Sequence, residues 1–371
     1  MVYTVISFYR YVPLQNPQAL RESLFQNCQE REILGRVLIG EEGINGAVCG
    51  EEEKIVSFQT ILESSFPDLT YREQKVETQT YHKLVVRVRK EIVAFGKRVD
   101  PSKPACHISP ETLKQWYDTG KDFVIIDARN EHEAKVGKFK DAVVLPIHSF
   151  REFPGAIQKM DLLRDKEVVM YCTGGIRCEK ASAYMKEQGF SHVSQLDGGI
   201  INYVNQYPDT HYEGACFVFD DRLVSSTDTP ISTCALCETP CADYTNCFNL
   251  DCDKLFLCCN SCKEKMKNTC STICMHADRQ RKIIGKKEEN LVIGVVENYY
   301  PQAKVVLVRV EKELQRDATV TFYGTTTKNV QETIIELRDY DGNILEKAEA
   351  GMRVTFPVQG KIRAHDKVCA L

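Results

Sequence analysis

The sequence of 371 residues contains no uncharged apolar run that approaches the roughly 18–20 residues needed to cross a membrane as a helix. Its first residues, MVYTVISFYR, lack the basic segment followed by an apolar stretch that marks a secretory signal peptide. We therefore expect a cytoplasmic protein with no membrane association. Because that compartment is reducing, its cysteines should be metal ligands, catalytic groups or core side chains rather than disulfides.

A large excess of charge of either sign is also absent, since 48 basic and 52 acidic side chains leave a formal net charge of −4. No global basic field therefore points to nucleic-acid binding. Hydrophobic residues make up 43% and charged residues 27%, which excludes a mainly disordered, collagen-like or coiled-coil chain. No internal repeat or low-complexity tract is evident, and the length predicts roughly two to three domains.

Hydrophobic periodicity and the positions of the cysteines divide the chain into four predicted parts, so that the fold is multidomain α+β and α/β. Residues 1–98 follow the order βαββαβ, which predicts a ferredoxin-like (acylphosphatase-like) sandwich whose last strand lies in LVVRVRKEIVAF. Residues 99–212 begin with a proline-containing linker and then alternate short apolar strands with helices, as in an α/β domain with a parallel sheet. Residues 213–286 hold the clustered cysteines, and residues 287–371 contain evenly spaced strands typical of a small β-barrel.

One loop in the second part has the features of a site for nucleophilic chemistry. The apolar strand VVMY precedes Cys172, which opens the six-residue loop CTGGIR, and a helix is predicted from about Cys178. Gly174 and Gly175 allow backbone N–H groups to turn toward the sulfur, while the helix N-terminus and Arg177 add positive charge. These features are expected to lower the pKa of Cys172 and favour the reactive thiolate; the alternative is a buried core cysteine at a strand end.

Other residues near this loop are assigned more limited roles. Cys178 could resolve an oxidised Cys172, or it could fill the core. Asp127 and Arg129 follow an apolar strand and are expected to fix loops rather than to react. The eight histidines are scattered without the two-histidine, one-carboxylate pattern of a non-haem iron site, and no organic cofactor motif is evident.

Of the 17 cysteines, ten lie between Cys234 and Cys274. The predicted metal ligands among them are Cys234, Cys237, Cys241, Cys247, Cys252, Cys259, Cys262, Cys270 and Cys274. Two Cys-x2-Cys pairs suit tetrahedral zinc, and ten cysteines could fill two four-cysteine sites with two left over; His276 could replace one ligand. We expect structural zinc in a segment too small for its own core, with an iron–sulfur cluster or disulfides as the alternatives.

The loop and its surroundings resemble rhodanese. FVIIDARNEHEAKVGKFKDAVVLP is similar to the segment around the second rhodanese strand, and SHVSQLDGGIINY is similar to the closing segment of that fold. The strings VISFYRYV, GRVLIGEEGINGAV, YCTGGIRCEKASAYM and FVFDDR resemble the TrhO/YceA family of tRNA uridine hydroxylases, over residues 3 to about 276. Residues 290–371 resemble instead the second domain of elongation factor Tu and, more closely, the barrel that ends collagenase-like peptidases.

The family resemblance implies the oxygen-dependent 5-hydroxylation of the wobble uridine, in the anticodon loop of tRNA. It implies molecular oxygen as co-substrate and Cys172 as the essential residue. We expect either that the Cys172 thiolate adds to uracil C6, so that C5 becomes nucleophilic, or that an oxidised Cys172 sulfur delivers the oxygen. In both routes the loop amides and Arg177 would stabilise negative charge. A sulfurtransferase that carries a persulfide on Cys172 and a non-catalytic rhodanese scaffold are the alternatives.

Two groups of basic residues are candidates for contacts with tRNA. They are Arg72, Lys83, Arg87, Arg89, Lys90, Lys97 and Arg98 in the N-terminal part, and Arg279, Arg281, Lys282, Lys286 and Lys287 in the connector before the last part. The N-terminal group could equally be solvated surface, and a solvated linker is the usual interpretation of the connector group. The C-terminal barrel could dock tRNA or serve as an appendage or dimerisation module. The motif EGING, which includes Gly43 and Asn45, is expected to form a turn with positive φ.

Overall fold

The computed structural model describes residues 2–225, 229–281, 292–324, 327, 330–360 and 362–370. The chain forms two compact units, Met1–Gln280 and Arg281–Leu371. Separate hydrophobic cores stabilise the parts of the first unit, and one core lies inside the second. Within the described ranges, no helix combines the length and the apolar character that spanning a bilayer requires.

The first unit begins with a five-stranded sheet covered by two helices. Its elements are β1 (Tyr3–Tyr11), α1 (Pro17–Glu30), β2 (Leu34–Gly40), β3 (Gly43–Glu51), α2 (Glu52–Ser65), β4 (Tyr71–Val76) and β5 (Leu84–Val88). The strand order is β4-β1-β3-β2-β5, and only the β2–β5 pair is parallel. Ile55, Phe58 and Leu62 of α2 are buried against the sheet at the helical spacing that the sequence predicts. The elements β1 to β4, with α1 and α2, form the expected ferredoxin-like βαββαβ sandwich.

The last strand of this sandwich differs from the prediction. LVVRV forms the added edge strand β5, whereas the fourth strand of the βαββαβ unit is β4, with the sequence YREQKV. β4 lies at the sheet edge and pairs only with β1, and three of its six residues are exposed. A polar edge strand of this kind has no apolar alternation, so the hydrophobic pattern does not reveal it.

The predicted EGING turn is correct only in part. Glu41 and Glu42 form the turn between β2 and β3. Gly43 has φ +138°, and a Cβ atom there would lie 1.9 Å from the carbonyl oxygen of Arg10. Asn45, by contrast, lies within β3, where its side chain donates a hydrogen bond to the Ile92 carbonyl. Gly43 is therefore required by the close approach of β1, and Asn45 fastens the segment that follows β5.

The next part of the first unit is a parallel α/β domain. Its elements are β6 (Cys106–Ile108), α3 (Pro110–Asp118), β7 (Val124–Asp127), α4 (Glu131–Val136), β8 (Gly137–Phe139), β9 (Val143–Val144), α5 (Phe153–Ile157), β10 (Glu167–Tyr171), α6 (Ile176–Glu187), β11 (His192–Leu196), α7 (Gly199–Gln206) and β12 (Tyr212–Gly214). The parallel sheet has the order β6-β11-β10-β7-β9, and β8 pairs separately with β12. Along the central strand β10, Val168 and Met170 join one core while Val169 and Tyr171 join the other. Both faces of this sheet are therefore buried, which places the end of β10 at the centre of the domain.

The cysteine-rich part has little regular structure, as the sequence predicts. Its elements are β13 (Tyr244–Asn246), β14 (Leu255–Leu257), α8 (Asn260–Lys265) and α9 (Thr272–Met275). Cysteines make up most of its buried cluster, with Phe256 as the single fully apolar buried side chain among them. A segment with so few apolar side chains needs another source of stability.

The second unit contains an eight-stranded sheet that curls around one core, and a separate pair of short strands. Its strands are β15 (Val292–Tyr300), β16 (Val305–Val310), β17 (Leu314–Gln315), β18 (Thr319–Tyr323), β19 (Val330–Thr333), β20 (Leu337–Asp339), β21 (Ile344–Leu345), β22 (Lys347–Ala348), β23 (Arg353–Pro357) and β24 (Lys367–Ala370). The large sheet has the order β19-β18-β24-β15-β16-β23-β20-β21, and β17 pairs with β22. In the part of this unit that the structure describes, β19 and β21 are the sheet edges, so the expected barrel is a curled sheet there. The predicted strand QETIIEL is divided between β19 and β20.

Candidate active site and cysteine clusters

Cys172 lies at the end of β10, at the start of the loop that leads into α6. Its side chain is completely buried, and the backbone N–H of Gly175 donates a hydrogen bond to its Sγ at 3.1 Å. Burial by itself would raise the pKa of this thiol. Hydrogen bonds from the Cys178 thiol and from the N–H groups of Arg177 and Cys178, with the Arg177 charge, outweigh burial and lower the pKa of Cys172 to about 5. The loop therefore holds a thiolate at neutral pH, as an attacking sulfur requires.

Cys178 lies in the first turn of α6, and its thiol is the side-chain donor to Cys172. Burial and then the Cys172 sulfur raise the pKa of Cys178 well above its usual value. The two sulfurs therefore differ in charge at neutral pH, with the proton on Cys178. The Cys172 thiolate favours the protonated form of Cys178, and the Cys178 thiol favours the ionised form of Cys172.

Arg177 is held by a carboxylate rather than directed freely at the loop. Its Nη1 and Nη2 atoms donate to Glu133 at 2.6 and 2.8 Å, and Nη2 also donates to the Thr173 hydroxyl at 3.2 Å. Burial opposes ionisation of Glu133, but the Arg177 charge outweighs it and lowers the pKa of that carboxyl. Because both groups are buried, removing either one would leave the other charge unpaired, at a cost of about 3–5 kcal/mol. Arg177 thus acts on Cys172 through its charge and its backbone N–H.

The N-terminal end of α7 supports the loop from behind. The N–H groups of Ile200 and Ile201 donate to the carbonyls of Cys172 and Thr173 at 3.0 and 3.1 Å. Gly199 has φ +64°, and a Cβ atom there would lie 2.4 Å from the Cys172 carbonyl oxygen. Gly199 in the rhodanese-like closing segment is therefore needed for this close backbone approach.

Asp127 and Arg129 form a buried ion pair below the loop. Arg129 donates to both Asp127 oxygens and to the Gly137 carbonyl, and the Tyr171 hydroxyl donates to Asp127 at 2.7 Å. The pair joins β7, β8 and β10, which agrees with the expectation that these residues fix loops. Neither side chain has exposed surface through which a substrate could reach it.

Residues of the N-terminal sandwich also lie against the Cys172 loop and the start of α7. The sequence pattern identified Arg72 only as a candidate for tRNA contact, and it did not identify Tyr9 or Tyr11 as site residues. The Tyr11 hydroxyl donates to the Ile176 carbonyl at 3.4 Å, and Arg72 Nε donates to the Gly198 carbonyl at 3.0 Å. The Tyr9 hydroxyl lies beside Gly175, 2.9 Å from where a Cβ atom would be placed. The two tyrosines belong to the string VISFYRYV, which carried part of the family resemblance and was the one available signal.

Glu179 on α6 connects Tyr9 of the N-terminal sandwich to the α/β domain. Its Oε1 accepts from the Tyr9 hydroxyl at 2.9 Å and lies 3.2 Å from His107 Nε2, while its Oε2 accepts from Gln195 at 3.1 Å. Burial opposes ionisation of Glu179, but the hydrogen bond and charge of His107, followed by the bonds from Tyr9 and Gln195, lower the pKa of this carboxyl. The contact with Glu179 raises the pKa of His107. The network fixes the position of Tyr9 over the loop.

A second contact between the two parts involves Lys180, the neighbour of Glu179. Its Nζ atom donates to Glu42 at 2.8 Å, to Glu91 at 3.2 Å and to the Val93 carbonyl at 3.2 Å. Glu42 is the first residue of the EGING motif, and it also accepts from the Ile92 N–H at 2.7 Å. The motif therefore fastens the N-terminal sandwich to α6 in addition to forming a turn.

The clustered cysteines form two four-cysteine groups. Cluster A consists of Cys234, Cys237, Cys259 and Cys262, and cluster B consists of Cys247, Cys252, Cys270 and Cys274. Sulfur–sulfur distances are 3.6 Å for Cys237–Cys259 in cluster A, and in cluster B 3.7 Å for Cys252–Cys270 and 3.8 Å for Cys270–Cys274. Four sulfurs at about 2.3 Å from one zinc ion lie about 3.8 Å apart, so both groups fit tetrahedral zinc.

One predicted ligand and the alternative ligand His276 are not members of either group. Cys241 lies outside both clusters, and its Sγ contacts the Asp243 carbonyl at 3.8 Å. His276 is also outside them, with Nδ1 at 2.8 Å from the Thr272 carbonyl. Cys258, the tenth cysteine, is buried and contacts the Cys259 carbonyl. The expected arrangement of two four-cysteine groups with two cysteines left over is present, and all seventeen cysteines lie in the described part as free thiols.

The basic candidates for tRNA contact have different surroundings. Arg72 is half-buried and turned toward the Cys172 loop, whereas the other six residues of the N-terminal group are exposed. In the connector, Arg279 pairs with Asp251. Lys282, Lys286 and Lys287 of the connector group lie outside the described residues. The exposed residues of the N-terminal group thus remain available for phosphate contacts.

Three family models match separate parts of the chain. The UPF0176 acylphosphatase like domain matches residues 3–92, the Rhodanese-like domain matches residues 109–206, and the model described as Rhodanase C-terminal matches residues 213–275. The first two agree with the sandwich and the α/β domain. The third coincides with the cysteine-rich part.

Curated relatives match about three quarters of the chain. A protein of Cytophaga hutchinsonii named tRNA uridine(34) hydroxylase is 39% identical over 280 residues, or 73% of this chain and 89% of the relative. A protein of the same name from Chlamydia abortus is 37% identical over 295 residues, or 75% of this chain and 89% of the relative. Among solved structures, the C-terminal domain of a U32 peptidase from Geobacillus thermoleovorans is 23% identical, with TM-score 0.22, over 22% of this chain and 93% of that one.

Proposed function

The chain belongs to the tRNA uridine(34) hydroxylase family, and we propose from this membership that it hydroxylates uridine 34 of tRNA at C5, with Cys172 as the reacting residue. One observation supports this role for Cys172 more than any other. The thiol is completely buried, yet hydrogen bonds and a nearby positive charge lower its pKa to about 5. A fold that keeps a buried sulfur ionised has stabilised the form that attacks carbon.

The chemistry proposed for Cys172 begins with addition to the pyrimidine ring. The thiolate forms a bond to C6, and the displaced electron pair moves toward C5 and the C4 carbonyl, so that C5 becomes nucleophilic. One oxygen atom of O2 then bonds to C5, while the other leaves as water with two electrons and two protons from a reductant. Loss of the C5 proton expels the thiolate and restores the C5–C6 double bond.

The loop amides and Arg177 stabilise the negative charge on the Cys172 sulfur before it adds to C6 and after it leaves. The N–H groups of Gly175, Arg177 and Cys178 stabilise the sulfur anion when it leaves C6. Delivery of oxygen from an oxidised Cys172 sulfur is the alternative route, and it depends on the same residue. Since Cys172 has no exposed surface, groups around the loop must move before the uridine reaches the sulfur.

The substrate is proposed to be the anticodon loop, where uridine 34 is unpaired and no duplex has to be opened. Single-stranded RNA is bound through phosphate contacts and base stacking. The exposed arginines and lysines of the N-terminal group supply positive charge, although the whole chain has a net charge of −4. The proposed location, the cytoplasm, is where such a substrate is found.

The two cysteine clusters are proposed to bind one zinc ion each. Four sulfurs per ion leave no open position for a substrate, so the ions would be structural. Bound zinc would supply the stability that the few apolar side chains of this part do not. We assign no step of the hydroxylation to them.

Mass spectrometry of tRNA nucleosides tests the role of Cys172. In a strain without the endogenous activity, the wild-type chain should restore 5-hydroxyuridine, and Cys172→Ser should not. Cys106→Ser is the matched control, because Cys106 is exposed on β6 and belongs to none of the groups above. Unchanged hydroxyuridine with Cys172→Ser would refute both chemical routes. Thiosulfate:cyanide turnover by the wild type as efficient as in true rhodaneses, without an effect on tRNA, would favour a sulfurtransferase.

Cys178 is proposed to resolve an oxidised Cys172. A sulfenic acid on Cys172 would condense with the Cys178 thiol, to which it is hydrogen-bonded, to give a disulfide and water. After peroxide treatment, peptide mass spectrometry should show this disulfide in the wild type and a sulfinic acid on Cys172 in Cys178→Ala. A reduced Cys178 in oxidised wild-type protein would show that it only fills the core and donates its hydrogen bond.

A further inference from the structure

A short hairpin after β12 brings an exposed aromatic ring to the active site. It spans Phe217–Val224, which we call the aromatic hairpin, and its ends form an antiparallel bridge. Within it, the Val218 N–H donates to the Leu223 carbonyl at 2.9 Å, and the Leu223 N–H donates to the Asp220 carbonyl at 3.1 Å. The hairpin therefore has its own hydrogen-bonded shape.

The N-terminal sandwich holds one side of the aromatic hairpin. The Asp221 N–H donates to the Thr80 carbonyl at 2.9 Å, and the Asp221 carboxylate lies 2.8 Å from His82 Nδ1. Arg222 donates to the Gln74 side chain at 3.1 Å and is itself fixed by Asp220. These contacts connect the hairpin to the segment from β4 to β5.

The opposite side of the hairpin packs on the α/β domain and the cysteine-rich part. The Phe217 ring is 5.2 Å from the His132 ring and 5.9 Å from the Tyr244 ring, both in edge-on arrangements. The Tyr244 hydroxyl donates to the His132 carbonyl at 2.8 Å. Three parts of the first unit therefore hold this one hairpin.

Phe219 is the exposed ring at the tip of this fixed hairpin. Its side chain is 59% exposed, and its ring lies 5.4 Å from Phe217. The Arg177 guanidinium lies 5.5 Å from the centre of the same ring. Arg177 is the residue whose charge and backbone N–H help to ionise Cys172. The ring is thus directly next to the active-site loop while much of its surface is open.

We propose that Phe219 is a stacking surface for a nucleobase of the RNA loop that carries the target uridine. The inference rests on the proposed function and adds a binding residue to it. Proteins bind unpaired bases by stacking them on aromatic rings, and arginine beside the ring adds a cation–π contribution. Phenylalanine has no hydrogen-bonding group, so this contact accepts different bases and positions the loop rather than reading its sequence.

An exposed apolar side chain alone would not support this assignment, because single ones are common on protein surfaces. Leu162, at 93% exposure, is such a case. Phe219 differs in two respects: it belongs to a hairpin that three parts of the unit hold, and its ring contacts the arginine of the active-site loop.

The test uses the full chain with Phe219→Leu, Phe219→Trp and the control Leu162→Ala. Loss of one stacked base is worth roughly 5- to 150-fold in binding. Phe219→Leu keeps an apolar side chain but removes the aromatic face, so Kd for tRNA and KM should rise in that range while kcat stays within about threefold. Phe219→Trp should restore the wild-type Kd, and Leu162→Ala should not change it.

Two results would overturn the proposal. One is an unchanged Kd and KM in Phe219→Leu. The other is a fall in kcat without a change in Kd that Phe219→Trp does not correct, which would mean that the ring only supports Arg177. Failure of the proposed function is distinguishable, because wild-type protein would then form no hydroxyuridine while its tRNA Kd could still respond to Phe219.

Discussion

At the scale of single residues, the site depends on a pair of thiols with opposite behaviour. Cys172 and Cys178 are both completely buried, which disfavours the thiolate form of each. Cys172 is nevertheless ionised because four hydrogen-bond donors and the Arg177 charge converge on its sulfur, and Cys178 supplies two of those donors, its thiol and its backbone N–H. The cost of burying the anion is therefore offset within a loop of six residues and the first turn of α6.

The low pKa of Cys172 predicts a specific pH dependence. The thiolate persists above about pH 5 and is lost as the pH falls through that value. We expect kcat/KM to be flat between about pH 6 and 8 and to fall about tenfold per unit below about pH 5. The difference in ultraviolet thiolate absorbance between wild type and Cys172→Ser should titrate at the same pH.

Cys178→Ala provides the matched comparison for this titration. It removes one donor to the Cys172 sulfur, so the pKa of Cys172 should rise and the acidic limb should move to higher pH by roughly one unit. Circular dichroism at each pH separates titration from unfolding. A fall of wild-type kcat/KM centred near pH 8 would contradict the prediction that Cys172 is ionised at neutral pH.

Local sequence was sufficient to identify some site residues and insufficient for others. Cys172, Arg177 and Cys178 lie within seven consecutive positions, and their strand–loop–helix context is visible in the sequence. Tyr9 and Arg72 reach the same loop from positions far away in the chain, through the packing of one sheet on α6. Hydrophobic periodicity carries no information about such contacts.

At the scale of elements, the junction between β10 and α7 limits which residues are tolerated. Gly199 combines φ +64° with backbone atoms of Cys172 and Thr173 within 3 Å of a would-be Cβ. Backbone atoms at that distance cannot move away as a flexible side chain can. The carbonyls of Cys172 and Thr173 can therefore lie where they do only because residue 199 has no Cβ atom.

Gly199→Ala tests this junction. The left-handed conformation alone costs an alanine about 1–2 kcal/mol, and the clash adds to it, so Tm should fall by at least about 4 °C and hydroxylation should decrease. Gly155→Ala in α5 is the control, because a Cβ there meets no atom within 4 Å. It should leave activity unchanged and add roughly 0.5–1 kcal/mol of stability. Equal Tm values for the two variants would contradict the close packing of Gly199.

The membership of the cysteine clusters is a second feature that could not be predicted from the sequence. The number of cysteines was enough to predict two four-cysteine groups with two left over. Their membership was not predictable, because the ligand pairs alternate along the chain between cluster A and cluster B. Cys241 has the spacing of a ligand and yet lies outside both clusters.

Elemental analysis of untagged protein tests the clusters. We expect two zinc ions per chain in the wild type, one in Cys237→Ser and two in Cys241→Ser. Cys237 contributes a sulfur to cluster A, whereas Cys241 contributes to neither cluster. Equal metal loss in both variants would contradict the assignment, and iron in place of zinc would favour the iron–sulfur alternative.

At the scale of the whole molecule, the features proposed for catalysis all lie in the first unit. The curated relatives match 73–75% of the chain. Four of the described arginines in the second unit pair with glutamates: Arg309, Arg316, Arg338 and Arg353. Much of that positive charge is therefore balanced locally rather than available to phosphates.

Deletion of residues 288–371 tests the role of the second unit. We expect the shortened chain to keep its kcat, because no residue assigned to the reaction is removed. Since four arginines of the second unit are paired with glutamates, the slope of log Kd for tRNA against log salt should change by less than about 0.9, the value of one phosphate contact. A slope shallower by several units would show instead that this unit docks tRNA.

The alternation of cluster A and cluster B also bears on how the chain is made. A ribosome releases Cys262 before Cys270, so the first ion can be captured while the second cluster has only half of its sulfurs. Once cluster A holds its ion, Cys247 and Cys252 lie in the chain between two pairs of ligands of that ion. They can then complete cluster B only with Cys270 and Cys274, which are made later. Metal loading during translation would thus follow a fixed order, and a cell short of zinc would accumulate chains that are incomplete at the second cluster.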